Sequence, residues 1–294
     1  MSPARRQRCP LVVKPWFADH GVSGKVVLPA VEALLFLAAR CREACPTVDI
    51  TSMREVRLTK FLDITNRHGE LDVLVETEEQ DGWLSAALCS ETPLKGMTRV
   101  KEHCRVRFRL CPDQELGEEA SCDIALPRGA ALTFSATDIY RRLVPFGPTY
   151  HSLQGTLHID GDHALGMVRA PHIACGEMAA ELLGSPFPCD GAMHAACVLG
   201  QQRASFIPFP VGMATRQVLR PTQPGQEYLI RATLTTESPT ELTFALRIAD
   251  TSGRLYERID GLRMRDAGLF RRASASPVAA AALTPATPRT QATP

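Results

Sequence analysis

The chain has 294 residues, enough for one large domain or two of ordinary size. Its 33 Lys+Arg nearly cancel 32 Asp+Glu, for a formal net charge of +1, which excludes the basic footprint of a nucleic-acid binder and leaves no acidic tail. The longest apolar run, Val26 to Ala39, is broken by Glu32 and falls short of the roughly 20 residues a membrane helix needs.

The N-terminus, MSPARRQRCPLVVKP, has a basic start but no apolar stretch ending in a cleavage site, so a cytoplasmic protein without a signal peptide is expected. Arg5 and Arg6 here, like Arg271 and Arg272 later, read as solvated linker charge flanking the domain.

Residues 20–29 read HGVSGKVVLP. A phosphate-binding loop fails because Asp19 stands where the first glycine is needed and Val26 where a Mg²⁺-binding hydroxyl is needed. A nucleophile elbow fails because Gly24 follows Ser23 directly.

Pro29 then opens a helix running to about Cys45, proline at the first helical position having no donor to lose. Apolar residues cover nearly all its faces, which predicts burial. Period-2 strands follow: ITSMREVRLTKFL, ELDVLVETEE, GWLSAALCSE and RVKEHCRVRFRL, the second and third joined by an Asp81-Gly82 hairpin turn.

The same order returns later. A helix from about Pro188 through AMHAACVLGQQ precedes strands at MATRQVLR, EYLIRATLTT, ELTFALRIA and RLYERIDGLRM, the last two joined across Asp250 to Gly253. Pro29 to Val56 and Pro188 to Val218, helix opening to centre of the next strand, have nearly the same offset. A duplicated α+β unit is therefore expected, each antiparallel sheet wrapping its own helix. We divide the chain into a first unit at 1–125, a linker segment and second unit at 126–272, and an Ala/Pro-rich tail at 273–294 with no pattern able to bury a core.

The ten cysteines form no CxxC pair, and Cys41, Cys89, Cys104 and Cys197 sit among apolar or alternating residues as small buried hydrophobes, with reduced thiols expected. Cys189, Asp190 and His194 lack a second Cys/His pair at zinc spacing, so no metal site is read there.

His20 lies just before the first buried helix and Asp190 in the first turn of the second, and packing of the halves would let them meet across the seam. A neutral imidazole facing a carboxyl group, whose protonated form burial favours, makes an acid/base pair suited to eliminating water. His194, four residues after Asp190, shares its helix face and would orient the carboxyl group. Each also has a structural reading: a satisfied histidine, a helix-capping aspartate, a packing histidine.

HGVSGKVVLP resembles the HxxxGxxxxP motif of polyketide synthase dehydratase domains, with His20, Gly24 and Pro29 at the matching places. CDGAMH resembles the family's second motif, an aspartate followed four residues later by Gln or His, here Asp190 and His194. YRRLVPFGPTYHSL is similar to its Gly-Pro segment, with Gly147 and Pro148 matching. The resemblance runs from about Pro10 to Asp266.

It implies a double hotdog fold and dehydration of a 3-hydroxyacyl thioester to the 2-enoyl thioester. His20 would be the base and Asp190 the acid; Gly24 would help hold the thioester carbonyl, and Pro29 would fix the turn into the helix. An acyl carrier protein would deliver the substrate on its phosphopantetheine arm, with other synthase domains as neighbours, a homodimer as a further implication, and no metal or redox cofactor.

Two departures stand out. Phe146 replaces the tyrosine many members carry before Gly-Pro, leaving Tyr150 either to supply that hydroxyl or simply to pack. The short segment from Tyr140 to Gly147 looks more like the dehydratases of polyunsaturated fatty acid and enediyne synthases. A cyclase or isomerase, a thioesterase, and a silent acyl-binding or docking module are the alternatives.

Overall fold

The computed structural model describes residues 4–94, 97–111, 124, 132–173 and 178–268. The tail at 273–294, Arg271, Arg272 and the 125/126 boundary lie outside them.

In chain order, β1 (Arg5–Val13) leads through a 3₁₀ turn (Pro15–Asp19) to a small hairpin, β2 (Gly21–Val22) and β3 (Lys25–Val26). The first long helix (Ala30–Ala44) follows, then β4 (Asp49–Leu58), β5 (Gly69–Gln80), β6 (Trp83–Leu94) and β7 (Met97–Arg109). The second half has β8 (Leu132–Ser135), a π-helical turn (Ile139–Leu143), β9 (Leu153–Asp160), β10 (His163–Arg169) and the second long helix (Phe187–Arg203). It closes with β11 (Pro208–Val218), β12 (Glu227–Glu237), β13 (Glu241–Ala249) and β14 (Leu255–Asp266).

All strands except β2 and β3 join one 12-stranded sheet in the order β1-β5-β6-β7-β4-β11-β14-β13-β12-β10-β9-β8. Read outward from the central β4/β11 pair, each half continues as a meander of three strands and then a strand that precedes its long helix. The two halves thus share one connectivity, as expected for a duplicated α+β unit. Their sheets are continuous through β4 and β11, which pair antiparallel from Ser52/Gln217 to Arg57/Gly212.

Sequence periodicity did not single out β1, β8, β9 or β10. Arg5 and Arg6 lie in β1 and not in a linker, Arg6 pairing with Glu76 at 2.8 Å. An edge strand buries few side chains, and in β1 only Cys9 and Leu11 are buried, so its alternation is short. Pro29 caps the first helix one position before its first residue, with extended backbone (φ −61°, ψ 142°).

Each long helix is enveloped by its half of the sheet. In the first, Leu34, Leu37, Ala38 and Cys41 are fully buried; in the second, every residue from Phe187 to Gln201 is buried. Glu32, buried in the first turn of the first helix, receives hydrogen bonds from Lys14 Nζ (2.9 Å) and Trp16 Nε1 (3.0 Å), so its charge is compensated inside the core. The helices touch across the seam, which brings their N-terminal segments to one cavity. Among the described residues no helix is long and apolar enough to cross a membrane.

Candidate active site

The 20–29 segment is a positioning device for His20. Ser23 and Gly24 form the two-residue loop between β2 and β3, both at positive φ (50° and 77°), the geometry a type I′ hairpin demands. The hairpin returns the chain so that Val27 grips His20 twice: Val27 N donates to His20 O (3.1 Å), and Val27 O lies 3.0 Å from His20 Nδ1. A carbonyl oxygen only accepts, so Nδ1 carries the hydrogen and Nε2 keeps its lone pair. Burial lowers the His20 pKa below its usual 6.5, with Asp190 and the Val27 bond acting in the opposite direction. The ring is therefore neutral, and Nε2 is basic, at neutral pH.

Asp190 lies in the first turn of the second helix, 5 % exposed, with His194 one turn on at 4 %. His194 Nε2 sits 3.0 Å from Asp190 Oδ2. The contact lies off the hydrogen-bonding direction, leaving both atoms without a formal hydrogen bond. Burial is the largest influence on Asp190 and pushes its pKa up, as anticipated. The adjacent His194, with a smaller contribution from His20, outweighs it, and the carboxyl is held below its ordinary 3.8. The expectation that burial keeps this carboxyl protonated is corrected accordingly: the neighbouring imidazoles favour the carboxylate.

Phe146 joins the two groups. Its ring stacks on His20 (centroids 4.4 Å, 20° between planes) and lies 5.2 Å from His194. Tyr150, 1 % exposed, packs edge-on to His20 at 5.1 Å and against Phe187 at 5.4 Å. Gly147 and Pro148 fasten this aromatic segment to the residue before His20. Gly147 N donates to Asp19 O (2.7 Å) and Thr149 N to Asp19 Oδ2 (2.9 Å), while Pro148 starts the short 3₁₀ turn carrying Tyr150.

His20, Asp190 and His194 line one cavity of about 720 Å³ between the halves. Its walls are largely apolar, with Leu28, Leu62 and Leu88 from the first half and Met193, Cys197 and Ile207 from the second. Gly24, Pro29, Gly147, Pro148 and Tyr150 do not line it; they shape the segments that do. Cys189 sits within the influence of the buried Arg216/Glu257 pair, and among the described residues no three His, Cys, Asp or Glu side chains are placed to hold a metal ion.

Sequence reasoning missed two participants. Asp19 is a clamp through contacts 130 residues away in sequence. Tyr140, on the π-helical turn, places its hydroxyl 3.3 Å from His194 Nδ1. Neither has a local signal, because both act through tertiary contacts.

Comparison with known proteins identifies this architecture. Residues 6–91 match a family model described as polyketide synthase dehydratase domain, and residues 124–268 one described as polyketide synthase dehydratase N-terminal domain. No curated protein matches at a significant level. Among solved structures, the chain is similar to a trans-AT polyketide synthase dehydratase domain from Brevibacillus brevis at 14 % identity, TM-score 0.69, covering 90 % of this chain and 94 % of that one. It is also similar to the dehydratase domain of RzxB from Pseudomonas fluorescens, at 17 % identity and TM-score 0.67, covering 88 % and 94 %. A third similar structure is an inactive histidine-to-phenylalanine mutant of CurK dehydratase, at 16 % identity and TM-score 0.70, covering 90 % and 92 %. At these identities the structures show the fold, the double hotdog.

Proposed function

Since the chain belongs to the dehydratase domains of polyketide synthases, hydro-lyases acting on 3-hydroxyacyl thioesters, we propose that His20 is the base and Asp190 the acid of that reaction. The observation that carries this reading is the tautomer of His20, whose Nδ1 is committed to the Val27 carbonyl so that a neutral Nε2 serves the cavity.

Nε2 removes the C2 proton, and the C2–H electron pair becomes the C2–C3 π bond. The C3–O bond breaks, and the departing hydroxyl takes a proton from Asp190 and leaves as water. Base and acid act on adjacent carbons, which suits side chains supplied by opposite halves of one cavity. The productive site has His20 neutral, with its hydrogen on Nδ1 and Nε2 free, and carries one transferable proton on Asp190 beside His194. Return of the proton from His20 to that pair closes the cycle.

A phosphopantetheine arm from an acyl carrier protein fits the cavity's composition. Lys25, Lys60, Lys101 and Arg142 are among its lining residues and suit the arm's phosphate, while the apolar walls suit an acyl chain. The chemistry uses only the two side chains, with no metal or redox cofactor. As a synthase domain the protein works beside other synthase domains, and the carrier is the partner that supplies substrate.

The test is turnover of a panel of 3-hydroxyacyl pantetheine thioesters, followed by mass spectrometry. The unmodified protein should form enoyl product, and His20→Ala and Asp190→Asn should each abolish it. Free acid in place of enoyl product would make the protein a thioesterase, and binding without conversion would make it a silent acyl-binding module.

A further inference from the structure

Among the described residues, the hydroxyl bonded to His194 is that of Tyr140, which the sequence motifs do not mark. Its ring is fixed by stacking on His151 (centroids 4.2 Å, 13° between planes). Its oxygen accepts a hydrogen bond from Leu153 N at 2.8 Å. That leaves the phenolic hydrogen for His194 Nδ1, 3.3 Å away.

We propose that Tyr140 is a positioning residue that sets the tautomer of His194, keeping a hydrogen on Nε2 where it meets Asp190. The inference rests on the reading of Asp190 and His194 as the acid pair.

The argument is one of donor and acceptor capacity. A neutral imidazole has one N–H and one lone pair, and a hydrogen bond at one nitrogen dictates the state of the other. With the Leu153 N–H directed at the phenol oxygen, Tyr140 donates to Nδ1, so the imidazole hydrogen resides on Nε2. Nε2 lies 3.0 Å from Asp190 Oδ2, short of hydrogen-bonding alignment but close enough for the charge on the carboxylate to favour a hydrogen on Nε2. The opposite tautomer would turn a lone pair toward the carboxylate and repel it.

Desolvation raises the Tyr140 pKa well above its usual value, so the phenol remains a donor throughout the working pH range. The neighbouring chemistry agrees. Phe146 stacks on His20 and lies 5.2 Å from His194 with a ring that offers no hydrogen bond. The π-helical turn that carries Tyr140 closes by Val144 N donating to Ile139 O at 2.9 Å. Such wide turns are uncommon and cluster at functional sites.

The test uses the full chain labelled with ¹⁵N-histidine, with the His194 signals identified by their loss in His194→Gln. In the unmodified protein at pH 8, Nε2 should be the protonated nitrogen and Nδ1 the unprotonated one. In Tyr140→Phe the two forms should mix. A hydrogen on Nδ1 in the unmodified protein, or an unchanged pattern in Tyr140→Phe, overturns the proposal.

Kinetics supply an independent arm. Tyr140→Phe should lower kcat on the order of tenfold, in the range by which members of one hydrogen-bond network couple, with KM little changed. In the His194→Gln background, where the side-chain amide has no ring tautomer to set, the same substitution should change kcat by less than about twofold. Equal losses in both backgrounds would mean that Tyr140 acts as packing, against the proposal. The expected ¹⁵N pattern together with full activity of Asp190→Asn would refute the acid-pair reading while leaving the tautomer assignment standing.

Discussion

Gly147→Ala tests how closely the Gly-Pro segment is coupled to the base. Gly147 has φ −72° and ψ 171°, a conformation alanine adopts freely, so backbone strain contributes nothing to the expected effect. The added Cβ would instead lie 2.5 Å from Asp19 Cγ and 2.7 Å from Asp19 Cβ. Asp19 cannot swing aside without loosening its two bonds from Thr149, N to Oδ2 at 2.9 Å and Oγ1 to Oδ2 at 2.5 Å. Overpacking costs about 1–3 kcal/mol, and each charge-assisted bond about 1.5–3 kcal/mol when fully buried.

Asp19 and Thr149 are both half-buried, so the bonds count below their full value, and a total of about 3 kcal/mol is expected. At about 2–4 °C per kcal/mol for a chain near this size, Tm should fall by about 6–12 °C. Because Asp19 is joined to His20, kcat/KM should fall too, by up to about 100-fold if the imidazole shifts by an ångström. Thermal unfolding and enoyl formation are measured for Gly147→Ala alone and in an Asp19→Gly background, which removes the opposing atoms. In that background the alanine should cost less than about 1 kcal/mol, the mark of coupled neighbours. An unchanged Tm, or the same loss in both backgrounds, would refute the reasoning.

The remaining predictions concern buried charge. Arg216 and Glu257, each 3 % exposed in the side chain, pair at 2.7 Å beneath the start of the second helix, so Glu257→Gln should cost about 3–5 kcal/mol by leaving a buried cation uncompensated. Urea unfolding should also show that Arg216→Met with Glu257→Leu recovers most of that loss; a cost below about 1 kcal/mol for the single change would contradict it. Burial lowers the pKa of His20 and of His103 below 6.5. The unfolded chain therefore binds protons near pH 6.5 that the folded chain refuses, and stability is complete above pH 6.5 and declines as pH falls below it toward the folded values. Unfolding free energies from pH 7.5 to 5 should show this slope, shallower in His20→Gln/His103→Gln; equal slopes would count against it. With His20 as the proposed base, the same proton removes its lone pair, so kcat/KM should fall on the acid side at a pH below 6.5.

What could be read from the sequence follows from where each signal resides. The two long helices and most of the meander strands announce themselves through local periodicity, and Asp81-Gly82 forms its turn with both residues at positive φ, 51° and 77°. Strand β1 escapes because its first four residues, Arg5 to Arg8, are all exposed and its buried ones are only Cys9 and Leu11. The joining of β4 to β11 escapes because a pairing 160 residues apart in sequence leaves no mark on either strand alone. The site divides along the same line. His20 and Asp190 sit in spaced motifs that repeat across a family, whereas Asp19 and Tyr140 act by contacts 130 and 54 residues away.

Phe146 shows why that division matters. Judged by motif, it is a lost hydroxyl and a reason to suspect a silent domain. Judged by its neighbours, it stacks on His20 and borders His194 as an apolar ring beside the buried imidazole, while the phenol facing His194 is supplied by Tyr140. On the tautomer reading, replacing Phe146 by tyrosine therefore restores nothing that is missing. It should leave dehydration no faster and, by placing a polar group beside the buried imidazole, raise the pH at which the acid limb of kcat/KM appears. A gain in kcat from Phe146→Tyr would show that the hydroxyl had been absent after all.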